Sequence, residues 1–505
     1  MHVRQAGRLP GGFLLVAVCL GASPPVPAPS FLSPQPPSFA SVPQADLERE
    51  ARLEAKVRQL EAKVAALSRQ IDRLPSRAPR PATAEGSAIL RAPSAPPSDV
   101  PPPITRLPLT ASFGPGFALK SADGEYECQF HNLTQFDGRF FEQGGQVPVR
   151  DTFAIPRQWF MVSGRLTKPY EYFVSLAHGF EAVSILDVFL NLHFDDRLQI
   201  KVGRFFVPFP FEPYVLPIHA LITPEWSLFF NNFAPNRELG VMAWGQLDRK
   251  RIDYAAGIFN GTRNSLVDTN DAKDFIGFLN AKPFGESGIP ALQNLNVGGS
   301  VEAGNEQNGP IPRTLRTVVS IPGNATIGVP FLTFNPDVRE SGMRALWSLH
   351  MAYYYRHLSL IGEWDGGFQE YAIGDAPRTR LPVRSFFLAA GYFLTGETVA
   401  SRGVVKPLRP FDLRRGRIGL GAWEVGGRYN WLGLGDEVFT RGLSDPDLWT
   451  DRVATFDLGL NWYLTQYLKV AIFWEHAEFG SPVLYRPGAR QLTSDLFLLR
   501  CQIRF

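Results

Sequence analysis

Leu458-Gly459-Leu460-Asn461-Trp462-Tyr463-Leu464 and, after Thr465-Gln466-Tyr467, Leu468-Lys469-Val470-Ala471-Ile472-Phe473-Trp474-Glu475 carry the reading of the fold. In both runs the even-numbered residues are apolar or aromatic, and the odd-numbered ones are mostly polar or small. A period of two is the signature of a strand whose two faces meet different surroundings. The pattern recurs upstream. Leu198, Ile200 and Val202 alternate with Gln199, Lys201 and Gly203, and Trp423, Val425, Tyr429 and Trp431 with Glu424, Gly426, Arg428 and Asn430. Phe497, Leu499, Cys501, Ile503 and Phe505 close the sequence against Arg500, Gln502 and Arg504.

Such alternation fits a soluble β-sandwich or a transmembrane barrel. Three features favour the barrel. Many segments reach the roughly 9–11 residues that cross a bilayer at a tilt. Aromatics gather toward segment ends (Phe205, Phe209, Phe229, Phe230, Trp431, Trp474), as interfacial girdles require. The last alternating segment ends on Phe505, which suits a final strand pairing with the first, since an open edge in hydrocarbon leaves backbone groups unsatisfied. At about 25 residues per strand and connection, 110–505 predicts an all-β, antiparallel barrel of roughly 16 strands. Composition agrees: charged residues are 20% of the 505, low for a soluble domain, and beyond the N-terminus no apolar run approaches a spanning helix.

The N-terminal hundred residues differ. Residues 1–23 read as a secretory signal, with Arg4 and Arg8 before the short apolar run Phe13–Leu20. Lipidation at Cys19 is disfavoured by Val18 before it. Residues 24–44 form a Pro/Ser-rich spacer. Over 45–74, Leu53, Val57, Leu60, Val64, Leu67, Ile71 and Leu74 recur in steps of four and three, the heptad of a short α-helical coiled coil. Packing of that helix on the main domain is the competing reading. A Pro-rich linker follows over 75–109. Residues 1–109 carry a net +5 and residues 110–505 a net −2, so the large region shows no basic excess of the kind nucleic acid requires.

Catalytic and metal signatures are missing: there is no HExxH, no nucleophile elbow and no phosphate-binding loop. The three cysteines lack metal-ligand spacing, and neither a metal nor a cofactor is expected. Glu363 and Asp365, beside Gly366-Gly367, read as a strand end entering a turn. A catalytic carboxylate pair there is the weaker alternative.

With these residues in view, the chain resembles the phosphate-selective porin O and P family across most of 126–505. Asp137-Gly138-Arg139-Phe140-Phe141 is similar to its first-strand turn. Val202-Gly203-Arg204-Phe205-Phe206-Val207-Pro208-Phe209 with Glu212, then Asn236–Val241, resembles a strand-loop-strand unit. Tyr392–Glu397, Gly421–Tyr429, Asn461–Leu464 and Arg500–Phe505 complete the series in order. One departure stands out: Ile155-Pro156-Arg157-Gln158-Trp159 keeps a single Arg where the family commonly has a paired basic run. The resemblance implies an outer-membrane, trimeric, 16-stranded diffusion channel for small anionic solutes, phosphate or polyphosphate among them.

An anion channel needs inward cations that bind through several weak sites. Strand parity turns Lys201, Arg428, Lys469, Arg500 and Arg504 inward, and Arg409, Arg414, Arg415 and Arg417 form a candidate basic vestibule before Gly421. Pairing with wall carboxylates such as Glu424 and Glu475 is the competing reading. The Pro- and aromatic-rich stretch Val207–Asn236 is either an inward loop that narrows the lumen or an ordinary external loop, and 304–342 reads as a second long loop. Expected partners are outer-membrane lipid, small anions, two further copies of the chain and, through 45–74, the periplasm or cell wall. Valine or isoleucine at a with leucine at d leans toward two helices instead of three. The alternative function is a structural anchor whose coiled coil tethers the envelope, with only non-selective pore activity.

Overall fold

The computed structural model describes residues 108–505 except 115, 143–148, 180–181, 319–327, 415–417 and 487. The signal, spacer and heptad segments and most of the linker lie outside the described residues. A short hairpin, β1 (Leu109–Phe113) and β2 (Phe117–Ser121), precedes the first long strand, β3 (Glu127–Phe141). There follow β4 (Thr152–Thr167), β5 (Tyr170–Gly179), β6 (Ala182–Asp195), β7 (Leu198–Phe206), β8 (Arg237–Leu247), β9 (Ile252–Phe259), β10 (Asp274–Ala281) and β11 (Leu295–Asn308). A separate small hairpin, β12 (Thr314–Arg316) and β13 (Pro330–Thr333), interrupts the series. The wall resumes with β14 (Val338–Tyr355), β15 (Leu358–Ile373), β16 (Thr379–Phe393), β17 (Ala422–Leu434), β18 (Arg452–Tyr463), β19 (Leu468–Arg486) and β20 (Ala489–Arg504).

Sixteen of these strands, β3–β11 and β14–β20, pair antiparallel with their chain neighbours, and β20 returns to β3 from Leu496↔Phe141 to Arg504↔Leu133. The barrel is closed, and closure satisfies every edge that lipid could not. One edge of β3 is shared. Residues 133–141 face β20, while 127–130 face β2, and between them Asn132 and Phe505 exchange backbone hydrogen bonds of 2.8 and 3.2 Å.

The alternation read from sequence becomes two faces. Trp364, Leu388, Phe497 and Ile472 are exposed on the outside, an apolar surface too extensive for water and suited to lipid. Aromatic pairs ring both ends. Trp423 stacks on Trp462 at the end of the tight turns, and Phe140 meets Phe153 edge-on at the opposite, long-loop end. Phe205, Phe209, Phe229 and Phe230 correct the girdle expectation: all are at most 2% exposed and pack inside the barrel. Two further segments differ from the sequence reading. Glu363-Trp364-Asp365-Gly366-Gly367 is not a turn but lies within β15, where Gly366 leaves room for the Trp347 indole. Asp137–Phe141 likewise belongs to β3.

Candidate channel interior

Residues 207–236, connecting β7 to β8, fold into the barrel. Six prolines (208, 210, 213, 217, 224, 235) remove backbone donors and block regular structure. What remains is three short turns, α1 (Phe211–Val215), a 3₁₀ turn (Ile218–Ala220) and α2 (Leu228–Asn232), with the Ser227 hydroxyl capping α2 by accepting from Phe230 N. Phe209, Phe211, Leu228, Phe229 and Phe230 form the loop's own apolar centre, and Leu315, Val329, Phe331 and Leu332 from the β11–β14 connection cover it. Of the two readings of this stretch, the inward loop is the observed one.

Polar side chains of seven strands hold the loop, Glu363 of β15 among them by accepting from Glu212 N. Glu225 is the main anchor: its carboxylate meets Arg157 of β4 and Arg500 of β20, each at 2.6 Å, and Arg139 of β3 at 3.5 Å. Asp137 shares two of these cations, at 2.6 Å from Arg500 and 3.1 Å from Arg139. Burial alone would raise the Glu225 carboxyl, but the Arg157 and Arg500 guanidinium groups beside it hold it well below the usual carboxylate range. Glu212 accepts from Ser227 N at 2.7 Å and pairs with Arg428 at 3.3 Å; Arg428 also reaches Asp457 at 3.2 Å and donates to the Glu225 carbonyl at 2.7 Å. The Lys469 ammonium donates to Leu221 O at 3.3 Å, and Asn461 to Ile222 O at 2.8 Å. From the opposite rim Arg402, in the 394–421 connection, pairs with Glu424 and donates to Ala220 O at 2.8 Å. Elsewhere on the inner wall Arg344 gathers Asp274, Glu302, Glu306 and Glu340 at 2.6–3.4 Å.

The five inward candidates therefore divide. Arg428, Lys469 and Arg500 face inward, but their donors are engaged with the loop and with wall carboxylates. Lys201 and Arg504 are different: neither has a carboxylate partner among the described residues. Lys201 is seated among three rings, its ammonium 4.6 Å from the centre of Phe189, 5.0 Å from Trp244 and 5.3 Å from Phe205. Both cations border one cavity of about 440 Å³ between the β3–β7 wall and Pro213–His219 of the loop. His219 in that floor is pushed down to about 3 by burial and by the nearby Arg504 and Lys469.

Of the vestibule candidates, Arg409 and Arg414 lie at the tight-turn end of the barrel. Arg409 is exposed, Arg414 is exposed and pairs with Asp412 at 3.0 Å, and Arg415 and Arg417 lie outside the described residues. Sequence reasoning missed Glu225, Arg139 and Arg402, and treated Arg157 only as a departure from a pattern. Two glutamates, Glu212 and Glu225, inside an otherwise apolar proline-rich loop were the available signal, because buried carboxylates demand cations. Among the described residues no His, Cys, Asp and Glu group has the arrangement of a metal site.

A family model described as phosphate-selective porin O and P matches residues 130–474. No curated protein sequence matches significantly. Solved structures with similar folds include a loop L8 deletion mutant of OmpT from Vibrio cholerae, 10% identical, covering 75% of this chain and 99% of that one with a TM-score of 0.46. An anion-selective porin from Comamonas acidovorans is 10% identical, covers 75% and 100%, and scores 0.45. The outer-membrane channel DcaP of Acinetobacter baumannii is 8% identical, covers 76% and 99%, and scores 0.45.

Proposed function

The chain belongs to the phosphate-selective porin O and P family and is an outer-membrane channel, and on that premise we propose that it passes small anionic solutes through a lumen narrowed by 207–236. The observation that carries the anion preference is the pair Lys201 and Arg504, inner-wall cations free of carboxylate partners on one cavity. A cation neutralised by a wall carboxylate offers a passing anion little; one left unpaired in a narrowed, low-dielectric passage offers several weak contacts and attracts it from a distance. Total charge does not supply the preference, since the inner wall is rich in buried acids, and arrangement must. The family description makes phosphate or polyphosphate the first solutes to test. The resemblance supports assembly as a homotrimer, which crosslinking of the purified protein would test.

Reversal potentials of the protein in planar bilayers test the reading. Under a potassium chloride gradient the potential takes the sign of anion preference, and repeating it with potassium phosphate ranks the two anions. Lys201→Ala lowers the anion-to-cation permeability ratio by about fivefold, the effect of removing roughly 1 kcal/mol of attraction. A cation-selective wild-type pore refutes the proposal.

A further inference from the structure

The cavity that holds Lys201 and Arg504 is lined in a way that suits one kind of anion better than others. Its walls are dominated by rings, with Trp159, Phe173, Phe189, Phe205, Phe206 and Trp226 among them. Its volume, about 440 Å³, falls within the range of small-molecule sites. Two cations border it with no acceptor in hydrogen-bond reach among the described residues: the Lys201 ammonium and the Arg504 guanidinium. Asp187 also borders the cavity, neutralised by Arg237 at 2.9 Å.

Phosphate fits this lining poorly. A multiply charged, strongly hydrated oxyanion needs donors on every side, and ring faces cannot replace its water. A molecule with one carboxylate at one end and an aromatic ring at the other matches both halves of the lining. The carboxylate takes charge-assisted hydrogen bonds, and the ring stacks or meets edges with Phe and Trp side chains.

We propose that the cavity beneath the inward loop is an aryl-carboxylate subsite, in which Lys201 and Arg504 receive the carboxylate and the surrounding rings receive the aromatic group. The proposal rests on the anion-channel reading and names the solute class that this part of the lumen retains. The rings around Lys201 have a second use in it: they hold the ammonium by cation–π attraction, and among the described residues no carboxylate comes within ion-pair distance of it, Asp187 and Glu171 acting on it only from farther away.

The test uses the full chain in planar bilayers bathed in potassium chloride, with sodium benzoate, sodium acetate or sodium phosphate added as blockers of the chloride current. Half-blocking concentrations are read as a ratio within each variant, so a change in open conductance does not obscure the result. In the wild type benzoate blocks at a concentration at least about tenfold below acetate, the gain expected from burying a ring, and below phosphate. Phe189→Leu brings the acetate-to-benzoate ratio toward one. Arg504→Gln keeps every ring and removes a charge, raising the half-block of both carboxylates about threefold while preserving their ratio. An anion-selective pore in which benzoate and acetate block equally, or phosphate blocks best, overturns this inference and leaves the channel reading standing. A pore without anion preference overturns both.

Discussion

Replacing Glu225 by Gln removes one charge and almost no volume from the centre of the loop anchor. In the wild type both carboxylate oxygens are used, one by Arg157 and the other by Arg500, at 2.6 Å each. After the change, Arg500 and Arg139 still have Asp137, but Arg157 is left with neutral partners alone: the amide oxygen introduced at 225, Gln135 Oε1 at 3.0 Å and the face of Trp226 at 5.2 Å. A buried guanidinium without a counter-charge costs about 3–5 kcal/mol. That penalty falls on the docked loop, because a released loop lets Arg157 hydrate. The unlatched population therefore rises by about two to three orders of magnitude. The barrel wall, closed by backbone pairing, is unaffected. Single-channel recording reads the difference: Glu225→Gln shows frequent stepwise changes in conductance that the wild type lacks, together with protease cleavage inside 207–236. Glu286→Gln, which breaks the exposed Arg249 pair at 3.2 Å, serves as control and changes neither, as surface pairs contribute about 0–1 kcal/mol. A Glu225→Gln channel as quiet and as protease-resistant as the wild type would refute the latch.

Two further outcomes follow from the same geometry. Because the Glu225 carboxyl is held below its unfolded value, its contribution is complete above the unfolded pKa and is lost as pH falls toward the depressed folded one; the difference in flicker between wild type and Glu225→Gln therefore stays constant from pH 7.5 down to about 5, and a difference that shrinks above that pH would contradict this. On the outer face, Leu388→Arg places a charge against lipid from a side chain that is 53% exposed and lowers stability by about 2–4 kcal/mol, measured by denaturant unfolding in vesicles; an unchanged midpoint would remove β16 from the lipid surface.

The wall of the barrel was legible because its rule is local. Two-residue alternation around Arg428, Lys469 and Arg500 was enough to turn these side chains inward, and the spacing of segments was enough for 16 strands. What they touch was not legible, because each partner comes from a distant segment: Arg428 meets Glu212 across 216 residues. Composition misled in two places for a physical reason. Phe209, Phe229 and Phe230 lie between β7 and β8 with the same residue types as an interfacial belt, and only the folding-in of the loop decides which they are. Gly366-Gly367 resembles a turn, yet here the missing side chains let strand β15 pass close to Trp347 and the Ala345 carbonyl. Glu225 was overlooked because a lone glutamate in a loop is usually solvated; its burial depends on three arginines from β3, β4 and β20.

The seam between β20 and β3 also sets an order of assembly. Gln135 and Gln502, hydrogen-bonded across it at 2.8 Å, are 367 residues apart, so it is among the slowest contacts of the chain to form. Arg500 and Asp137 meet only when that seam zips, and the same Arg500 then holds Glu225 and the Pro224 carbonyl. The constriction thus cannot be fastened from the β20 side until the cylinder is complete. A half-built barrel carries a loosely hung loop, and the finished one locks it in the same step that removes its last open edge.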